Sequence, residues 1–328
     1  MNAEAAYFRP RRLGHTNLWV KDLKKSERFY NEVCGLTVEF TEPGLVASFL
    51  GTGHTPHDLG MIETTNGEAR YGRDGLLQIP AGVGLNRGLN HIAWELENEA
   101  ELVAGIRKVK AENPSMGART VDHQVAHSIY VHDPDGNYIE FYCDTVKDWR
   151  KVLHGDMDLI TSSWDPEGAE PFTDGRYDTN PEVRLVDDAP VHPRRVTHVV
   201  FCTRDVGRME SFYRQVGGMS PVWSARDGSA ICLRGSLDTY RYNLAIVHAE
   251  APAYHHVSFE LGDVRHVDAA EEALRRGGIA IEKSIDHASK RSIFLIDPDN
   301  MRIEFYARRT ADFVDLSGES QAMLPYLV

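Results

Sequence analysis

Two histidines and one glutamate recur at matching positions in the two halves of the sequence. His15, His91 and Glu140 lie in the segments LGHTNLWV, LNHIAWEL and DPDGNYIEFY of the first half. The corresponding segments of the second half carry the same residue types, namely His198, His256 and Glu304. Two imidazoles and one carboxylate on three separate strands form the facial set that binds non-haem Fe(II) or a related divalent metal. The sequence therefore predicts one metal site in the first half and a second candidate site in the second half.

The alternation of residue types around Glu140 predicts where its side chain points. Successive side chains of a strand face opposite sides, so Ile139 and Phe141 share one face and Glu140 takes the other. We expect Glu140 to point into the space that the sheet encloses. The DPDG stretch at 133–136 recurs as DPDN at 297–300 and has the composition of a tight turn. We interpret it as a turn that aims the strand, without a part in the chemistry.

The elements that must position these residues come from an internal duplication. Residues 13–36 match residues 196–219, and residues 89–109 match residues 254–274. Each segment alternates apolar and polar residues like a half-buried strand and then passes into helical spacing. Short β-like runs follow, separated by Gly, Asp and Pro. We predict an α+β fold of four strand-helix-strand-strand-strand modules, near residues 13–64, 88–143, 195–248 and 254–307.

This repeat divides the chain into two tandem domains. We place the N-terminal domain at residues 1–143, the C-terminal domain at 195–307 and a C-terminal tail at 308–328. The connector at 144–194 is rich in Asp, Pro and Gly, and its segment TVKDWRKVL (145–153) predicts one short helix. A connector of this length is often a cover or an interface.

Composition and charge argue against several classes of function. The 328 residues are 42% hydrophobic and 26% charged, as in a folded protein, and no apolar run approaches the ~20 residues of a membrane span. A formal charge of -13 disfavours nucleic acid and anionic membranes, because phosphate binding needs a basic face. The N-terminus lacks a signal pattern, and the four dispersed cysteines suggest free thiols. We expect a cytoplasmic homo-oligomer that binds neither nucleic acid nor membrane.

The module pattern and the ligand positions resemble the vicinal oxygen chelate superfamily. Within it, the chain is similar to two-domain extradiol ring-cleaving dioxygenases of the catechol 2,3-dioxygenase type. The resemblance covers about residues 13–143 and 195–307, and its most specific motif is DHQVAHSIYVHDPDGNYIEFYCD. It implies two tandem domains of the glyoxalase and extradiol dioxygenase fold. It also implies cleavage of a catecholic ring next to the diol with O2, at Fe(II) or alternatively Mn(II).

The resemblance also assigns roles to three further residues of the first half. Such enzymes place an acid/base histidine on the last strand of the first module of the catalytic pair, which maps to His57. A histidine before the strand that leads to the ligand glutamate, and a tyrosine on that strand, hold the catechol oxygens; these map to His123 and Tyr130. The second half has Tyr242, His287 and Phe294 at the matching positions. We therefore predict catalysis in the N-terminal domain, although the best-known two-domain enzymes use the C-terminal one.

Other interpretations stay open at this point. Metal-dependent lyases and epimerases of the same fold generally add a fourth ligand, commonly a glutamate, and only Glu63 lies near the required strand. Non-catalytic small-molecule-binding proteins of this fold usually lack the ligand trio. The second trio is either a metal site or a remnant whose members hydrogen-bond one another. His57 could cap its turn, and Tyr130 could be an ordinary strand aromatic.

The remaining histidines are read as structural, and some aromatic residues as candidate walls of a cavity. The structural histidines are His54, His127, His132, His154, His192, His248 and His255. Trp94, Trp149, Trp164 and the terminal MLPYLV could line or cover an aromatic-sized cavity, although most such residues are core.

Overall fold

The four modules of the computed structural model each run from a strand into a helix and then into three strands; it describes residues 6–72, 75–159 and 161–328. The first module contains β1 (Arg12–Val20), α1 (Leu23–Arg28), a π-helical turn (Phe29–Val33), β2 (Thr37–Glu42), β3 (Ala47–Gly51) and β4 (Leu59–Glu63). A hairpin of β5 (Arg70–Tyr71) and β6 (Leu77–Ile79) follows. The second module contains β7 (Gly88–Glu95), α2 (Glu99–Glu112), a 3-10 turn (Pro114–Met116), β8 (Arg119–Asp122), β9 (Ala126–His132) and β10 (Tyr138–Asp144).

The second half repeats this order. The connector first adds a 3-10 turn (Trp149–Lys151), β11 (Gly155–Asp156) and β12 (Ser162–Ser163). The third module contains β13 (Arg195–Thr203), α3 (Val206–Gln215), β14 (Met219–Ser224), β15 (Ala230–Gly235) and β16 (Leu244–His248). The fourth contains β17 (Ala253–Glu260), α4 (Val264–Arg276), β18 (Lys283–Asp286), β19 (Lys290–Ile296) and β20 (Arg302–Arg308), and α5 (Leu324–Leu327) lies in the tail.

Each module helix begins at an acidic or amide residue that satisfies free backbone N–H groups. The side chains of the four N-cap residues accept hydrogen bonds from the first turn, and these residues are Asp22, Asn98, Asp205 and Asp263. Such caps favour a helix start directly after a strand. The predicted α+β class and the four modules are therefore confirmed, whereas the division at residues 143, 194 and 307 stays a prediction.

The strands form one curved sheet in each half. The first sheet has the order β11-β2-β3-β4-β1-β7-β10-β9-β8-β12, and the second has the order β14-β15-β16-β13-β17-β20-β19-β18. In each half the opening strands of the two modules pair antiparallel at the centre, β1 with β7 and β13 with β17. The matching centres place the first strands of paired modules side by side, which is where the histidine ligands were predicted.

The connector covers the open side of the first sheet. Its strand β11 pairs with β2 and its strand β12 pairs with β8, so a few residues join the two edges of the sheet. Trp149 and Leu153 pack there against Phe40, Phe49 and Val125. The predicted helix over 145–153 is wrong, because only the 3-10 turn Trp149–Lys151 forms before the chain turns to pair with β2.

The repeated Asp-Pro turns join the two halves. Tyr30 donates a hydrogen bond to Asp297 Oδ2 at 2.8 Å, and Tyr213 donates one to Asp133 Oδ2 at 3.0 Å. All four side chains are buried. Each half therefore presents its turn aspartate to a helical tyrosine of the other half. No helix in the described part of the chain is long and apolar enough to cross a membrane.

Candidate metal centre

The three ligand atoms of the first half lie together on three neighbouring strands. His15 is on β1, His91 on β7 and Glu140 on β10, and the small Ala93 of β7 pairs with both His15 and Glu140. The Nε2 atom of His15 lies 3.2 Å from Nε2 of His91 and 3.2 Å from Oε2 of Glu140. His91 Nε2 lies 3.0 Å from the same Oε2. The predicted trio is therefore brought together, with one donor atom from each residue facing a common point.

Neighbouring groups orient these ligands. The Nδ1 atom of His91 lies 2.8 Å from Asn90 Oδ1, and Ser128 Oγ donates to Glu140 Oε1 at 2.5 Å. These bonds leave the imidazole Nε2 and the carboxylate Oε2 for a metal, as outer partners of metal ligands do. Burial lowers the pKa of His15. Burial opposes ionisation of Glu140, but hydrogen bonds from His15 and His91 hold its pKa well below the usual value. His15 is thus neutral and Glu140 ionised at neutral pH, the protonation states that metal binding requires.

The trio opens into a cavity of about 240 Å³. Its walls are largely apolar and come from both modules and the connector, including Trp19, Phe40, Phe49, Ile62, Leu153 and Leu159. Leu153 and Leu159 belong to the connector, which therefore forms part of the cavity wall. A largely apolar cavity with a few converging polar groups is the usual form of a small-molecule site.

His57 lies in this cavity, close to the trio. Its ring centroid is 4.0 Å from that of His15, and neither ring nitrogen has a hydrogen-bond partner among the described residues. It precedes β4, which begins at Leu59, so its predicted place on the strand is wrong by two residues. The alternative role as a turn cap has no hydrogen bond to support it. Burial, with the neighbouring His15, holds the pKa of His57 well below its usual value, so its imidazole is neutral.

His123 and Tyr130 form a second polar pair in the cavity. His123 Nε2 lies 3.0 Å from the Tyr130 hydroxyl, and Tyr130 lies opposite Glu140 on the neighbouring strand. Burial raises the pKa of Tyr130 well above its usual value and lowers the pKa of His123 to about 4. The tyrosine hydroxyl is therefore protonated and the imidazole neutral, so the pair can donate or accept hydrogen bonds toward a bound oxygen. The predicted roles of His57, His123 and Tyr130 stay predictions.

Known proteins share this arrangement of modules. The sequence matches the model of the Glyoxalase/Bleomycin resistance protein/Dioxygenase superfamily over residues 12–141 and 195–305. The chain belongs to this superfamily. The predicted resemblance to the vicinal oxygen chelate superfamily and its two-domain fold is therefore confirmed.

Relatives of this chain within the superfamily include both a dioxygenase and a lyase. A catechol-2,3-dioxygenase of Bacillus subtilis (strain 168) is 25% identical over 231 residues, which cover 67% of this chain and 69% of the relative. A lactoylglutathione lyase of Schizosaccharomyces pombe is 28% identical over 142 residues, covering 39% of this chain and 46% of the relative. Homoprotocatechuate 2,3-dioxygenase of Brevibacterium fuscum, solved with 3,4-dihydroxyphenylacetate, superposes with a TM-score of 0.64 at 18% identity, covering 94% of this chain and 83% of that chain. This last likeness shows the fold.

The second copy of the superfamily domain contains a buried lysine beside its trio. Glu304 Oε2 lies 3.7 Å from His198 Nε2 and 3.4 Å from His256 Nε2, and Ser258 Oγ donates to it at 2.6 Å. The ammonium of Lys290 lies 2.8 Å from Glu304 Oε1. Burial opposes ionisation of Glu304, but the Lys290 charge holds its pKa below the usual value. A buried cation thus already neutralises the carboxylate that a metal would bind.

The surroundings of the second trio are closed. His198, His256 and Glu304 are each 0% exposed, and the neighbouring cavity of about 30 Å³ is lined by Lys290 but by none of the three. Lys290 also donates to the main-chain oxygen of Val328 at 2.8 Å. The terminal MLPYLV therefore covers the second trio and not the larger cavity.

Three residue differences at matching positions explain why the first trio is open and the second is closed. Lys290 corresponds to Ala126, Tyr242 to His57 and Phe294 to Tyr130. Tyr242 donates toward His198 Nε2 at 3.2 Å, whereas the corresponding His57 makes no hydrogen bond in the described residues. The sequence reasoning missed Lys290, although a lysine at an inward position of an apolar strand was a readable signal.

The other candidate residues lie outside the first cavity. Trp94 is in the core, Trp149 of the connector packs against Phe40 and Phe49, and Trp164 stacks on His127. None of the three lines the cavity, in agreement with the alternative that such residues are core. The histidines read as structural belong to neither trio. Glu63 Oε2 accepts a hydrogen bond from Leu23 N at 3.0 Å, at the far end of β4 from His57.

Proposed function

We propose that the protein is an extradiol dioxygenase that cleaves a catecholic ring next to the diol, with O2 at a non-haem Fe(II) held by His15, His91 and Glu140. The main support for this proposal is the difference between the two copies of the trio, one open and one closed. Of the two trios in the described residues, the first opens into a cavity that also contains His57, without a hydrogen-bond partner, and the Tyr130-His123 pair. The second is closed around Lys290. Catalysis therefore belongs to the N-terminal domain.

The residues of the first trio fit a divalent metal. Two imidazole nitrogens and one carboxylate oxygen converge within hydrogen-bonding distance of one another, and such a set suits Fe(II), with Mn(II) as the alternative. When bound, the metal supplies Lewis acidity toward the diol hydroxyls and redox chemistry toward dioxygen.

The remaining groups handle protons and position the ring. The neutral imidazole of His57 lies beside the trio and can take or deliver a proton there, as a general acid/base does. The Tyr130 hydroxyl, held by His123, can hydrogen-bond a diol oxygen and fix the ring relative to the ligands. The apolar walls of the cavity, including Phe40 and Phe49, exclude water from the bound substrate.

A metal-dependent lyase or epimerase is the second candidate, because the relatives of this chain include a lactoylglutathione lyase. The resemblance assigns such enzymes a fourth carboxylate ligand. Among the described residues the first metal-suited group has three members, and the Glu63 carboxylate is bonded to the start of α1. A non-catalytic binding protein of this fold ranks third, since such proteins usually lack the trio.

Oxygen uptake tests the proposal. Protein loaded anaerobically with Fe(II) is given catechol and a series of larger catechols, and metal content is measured in the same samples. We expect oxygen consumption and a yellow ring-opened product. His57→Phe should abolish both, whereas the matched Tyr242→Phe in the closed copy should retain them. Stoichiometric metal without uptake on any diol would refute the dioxygenase and favour the lyase.

A further inference from the structure

A buried glutamate without a partner lines the cavity of the first copy. Glu42 is the last residue of β2, and its side chain is 6% exposed. No hydrogen bond or ion pair joins its carboxyl group to a residue in the described part of the chain, and Glu42 lines the cavity. Burial raises its pKa to about 8, and the nearby Asp158 contributes in the same direction.

A second buried glutamate on the same strand, Glu39, does have an ion-pair partner. Glu39 lies three residues earlier and does not line the cavity, and its Oε2 accepts from Arg184 Nη1 at 2.6 Å. Buried carboxyl groups are normally paired in this way, because an unpaired one destabilises the fold. Of the two buried glutamates on β2, Glu42, which lines the cavity, is therefore the unpaired one. A perturbed acid in a cleft is a candidate for ligand recognition.

The strand register places Glu42 away from the metal ligands. Glu42 pairs with Ala47, Ala47 with Ile62 and Ile62 with Trp19, so the four residues form one row across the sheet. Trp19 lies four residues beyond His15 on β1, which is about 13 Å along a strand. A ligand that reaches from the trio to Glu42 must therefore be longer than a single ring.

The intervening row is largely apolar. Asn17 of β1 pairs with Gly60, Gly60 with Phe49 and Phe49 with Phe40, and the two phenylalanine rings stack at 4.5 Å between centroids. Both rings line the cavity between the row of His15 and the row of Glu42. This stretch suits an apolar part of a ligand.

We propose that Glu42 determines specificity by binding a hydrogen-bond donor, a hydroxyl or a protonated amine, at the end of an apolar substituent on the catechol ring. This inference rests on the proposed function, since the diol must occupy the trio. Phe40 and Phe49 contact the apolar part, and the Glu42 carboxyl accepts from the terminal donor. A terminal carboxylate is disfavoured, because it brings no donor for Glu42 and would bury a second carboxyl group beside it.

Anaerobic binding to metal-loaded protein tests this assignment. The probes are four 4-substituted catechols with the same number of chain atoms, ending in methyl, hydroxyl, amine or carboxylate, and binding is measured by calorimetry. We expect a donor-ended probe to bind about tenfold more tightly than the methyl-ended one, as for a hydrogen bond to a buried acid. Glu42→Leu should remove this preference and improve binding of the carboxylate probe. Glu42→Gln should keep a preference for the hydroxyl probe and lose one for the amine, which identifies the donor.

Glu39→Leu is the matched control. It should lower the thermal midpoint by breaking the pair with Arg184 and leave the order of the four probes unchanged, whereas Glu42→Leu should not lower the midpoint. An unchanged order of probes in folded Glu42→Leu protein, or tightest binding of the carboxylate probe to the unaltered protein, would overturn the assignment. Failure of every catechol to bind would instead refute the proposed function.

Discussion

Replacing Lys290 by alanine tests whether this side chain occupies the place of a metal. The substitution gives the second trio the residue that the first copy has at position 126. In the unaltered protein the ammonium lies 2.8 Å from Glu304 Oε1, and both side chains are almost fully buried. Removing one partner of such a pair leaves a buried carboxylate without compensation.

The expected loss is large when no metal is present. Breaking a buried ion pair by deleting one partner typically costs about 3–5 kcal/mol of folding free energy. The Glu304 pKa is held below its usual value, so the contribution of the pair is present above the ordinary carboxylate pKa and is lost as the pH falls through the lowered one. Measurements at pH 7 therefore record all of it.

A divalent metal should restore part of the loss in the variant. The substitution leaves His198, His256 and Glu304 with donor atoms within 4.8 Å of one another and no cation among them. At a metal concentration about 100 times the dissociation constant, binding to the folded state adds about 2.7 kcal/mol. The unaltered protein should hold one ion per chain, and Lys290→Ala should hold two.

Urea unfolding with and without Mn(II), together with metal analysis after dialysis, measures both quantities. Lys283→Ala is the matched control, since Lys283 is partly exposed on a neighbouring strand and should affect neither result. The reciprocal Ala126→Lys should remove metal from the first trio. Two ions per chain in the unaltered protein, or an unaffected stability of metal-free Lys290→Ala, would refute the reasoning.

Two further predictions concern the junction of the halves and the response to acid. Tyr30→Phe and Tyr213→Phe each remove one hydrogen bond to a buried carboxylate, so each should lower the free energy of unfolding by about 1–3 kcal/mol in urea titrations. Unchanged stability in both variants would contradict a docking role for the Asp-Pro turns. Burial lowers the pKa of His123 to about 4 in the folded protein. Between this pH and the ordinary histidine pKa the unfolded chain binds more protons than the folded one, so the free energy of unfolding decreases as the pH is lowered. For metal-free protein this loss of stability is at most about 2 kcal/mol near pH 5. His123→Gln should reduce the change in unfolding free energy between pH 5 and 7 by that amount. A pH dependence as steep as that of the unaltered protein would contradict the prediction.

The sequence predicted those features of the fold and the site that depend on strand periodicity and on the internal duplication. The inward placement of Glu140 follows from the two-residue period of a strand, and its pairing with His15 and His91 follows from the duplication. The helix predicted at 145–153 failed because tertiary pairing of the connector with β2 overrides local propensity. The unpaired state of Glu42 also depends on distant strands and on the connector, which periodicity does not report.

The closed copy keeps the residue types of a metal-binding trio beside a buried lysine. In the second copy the Lys290 ammonium stabilises the ionised form of Glu304, whereas in the first copy hydrogen bonds from His15 and His91 do the same for Glu140. The lysine brings its charge within the chain and is anchored by the main-chain oxygen of Val328, so the second copy needs no ligand to satisfy Glu304. The same anchoring seals the copy against substrate. Under the proposed function, the one side chain of Lys290 accounts both for a second copy without chemistry and for a buried carboxylate that needs no metal, and Glu304 in turn pairs the buried lysine.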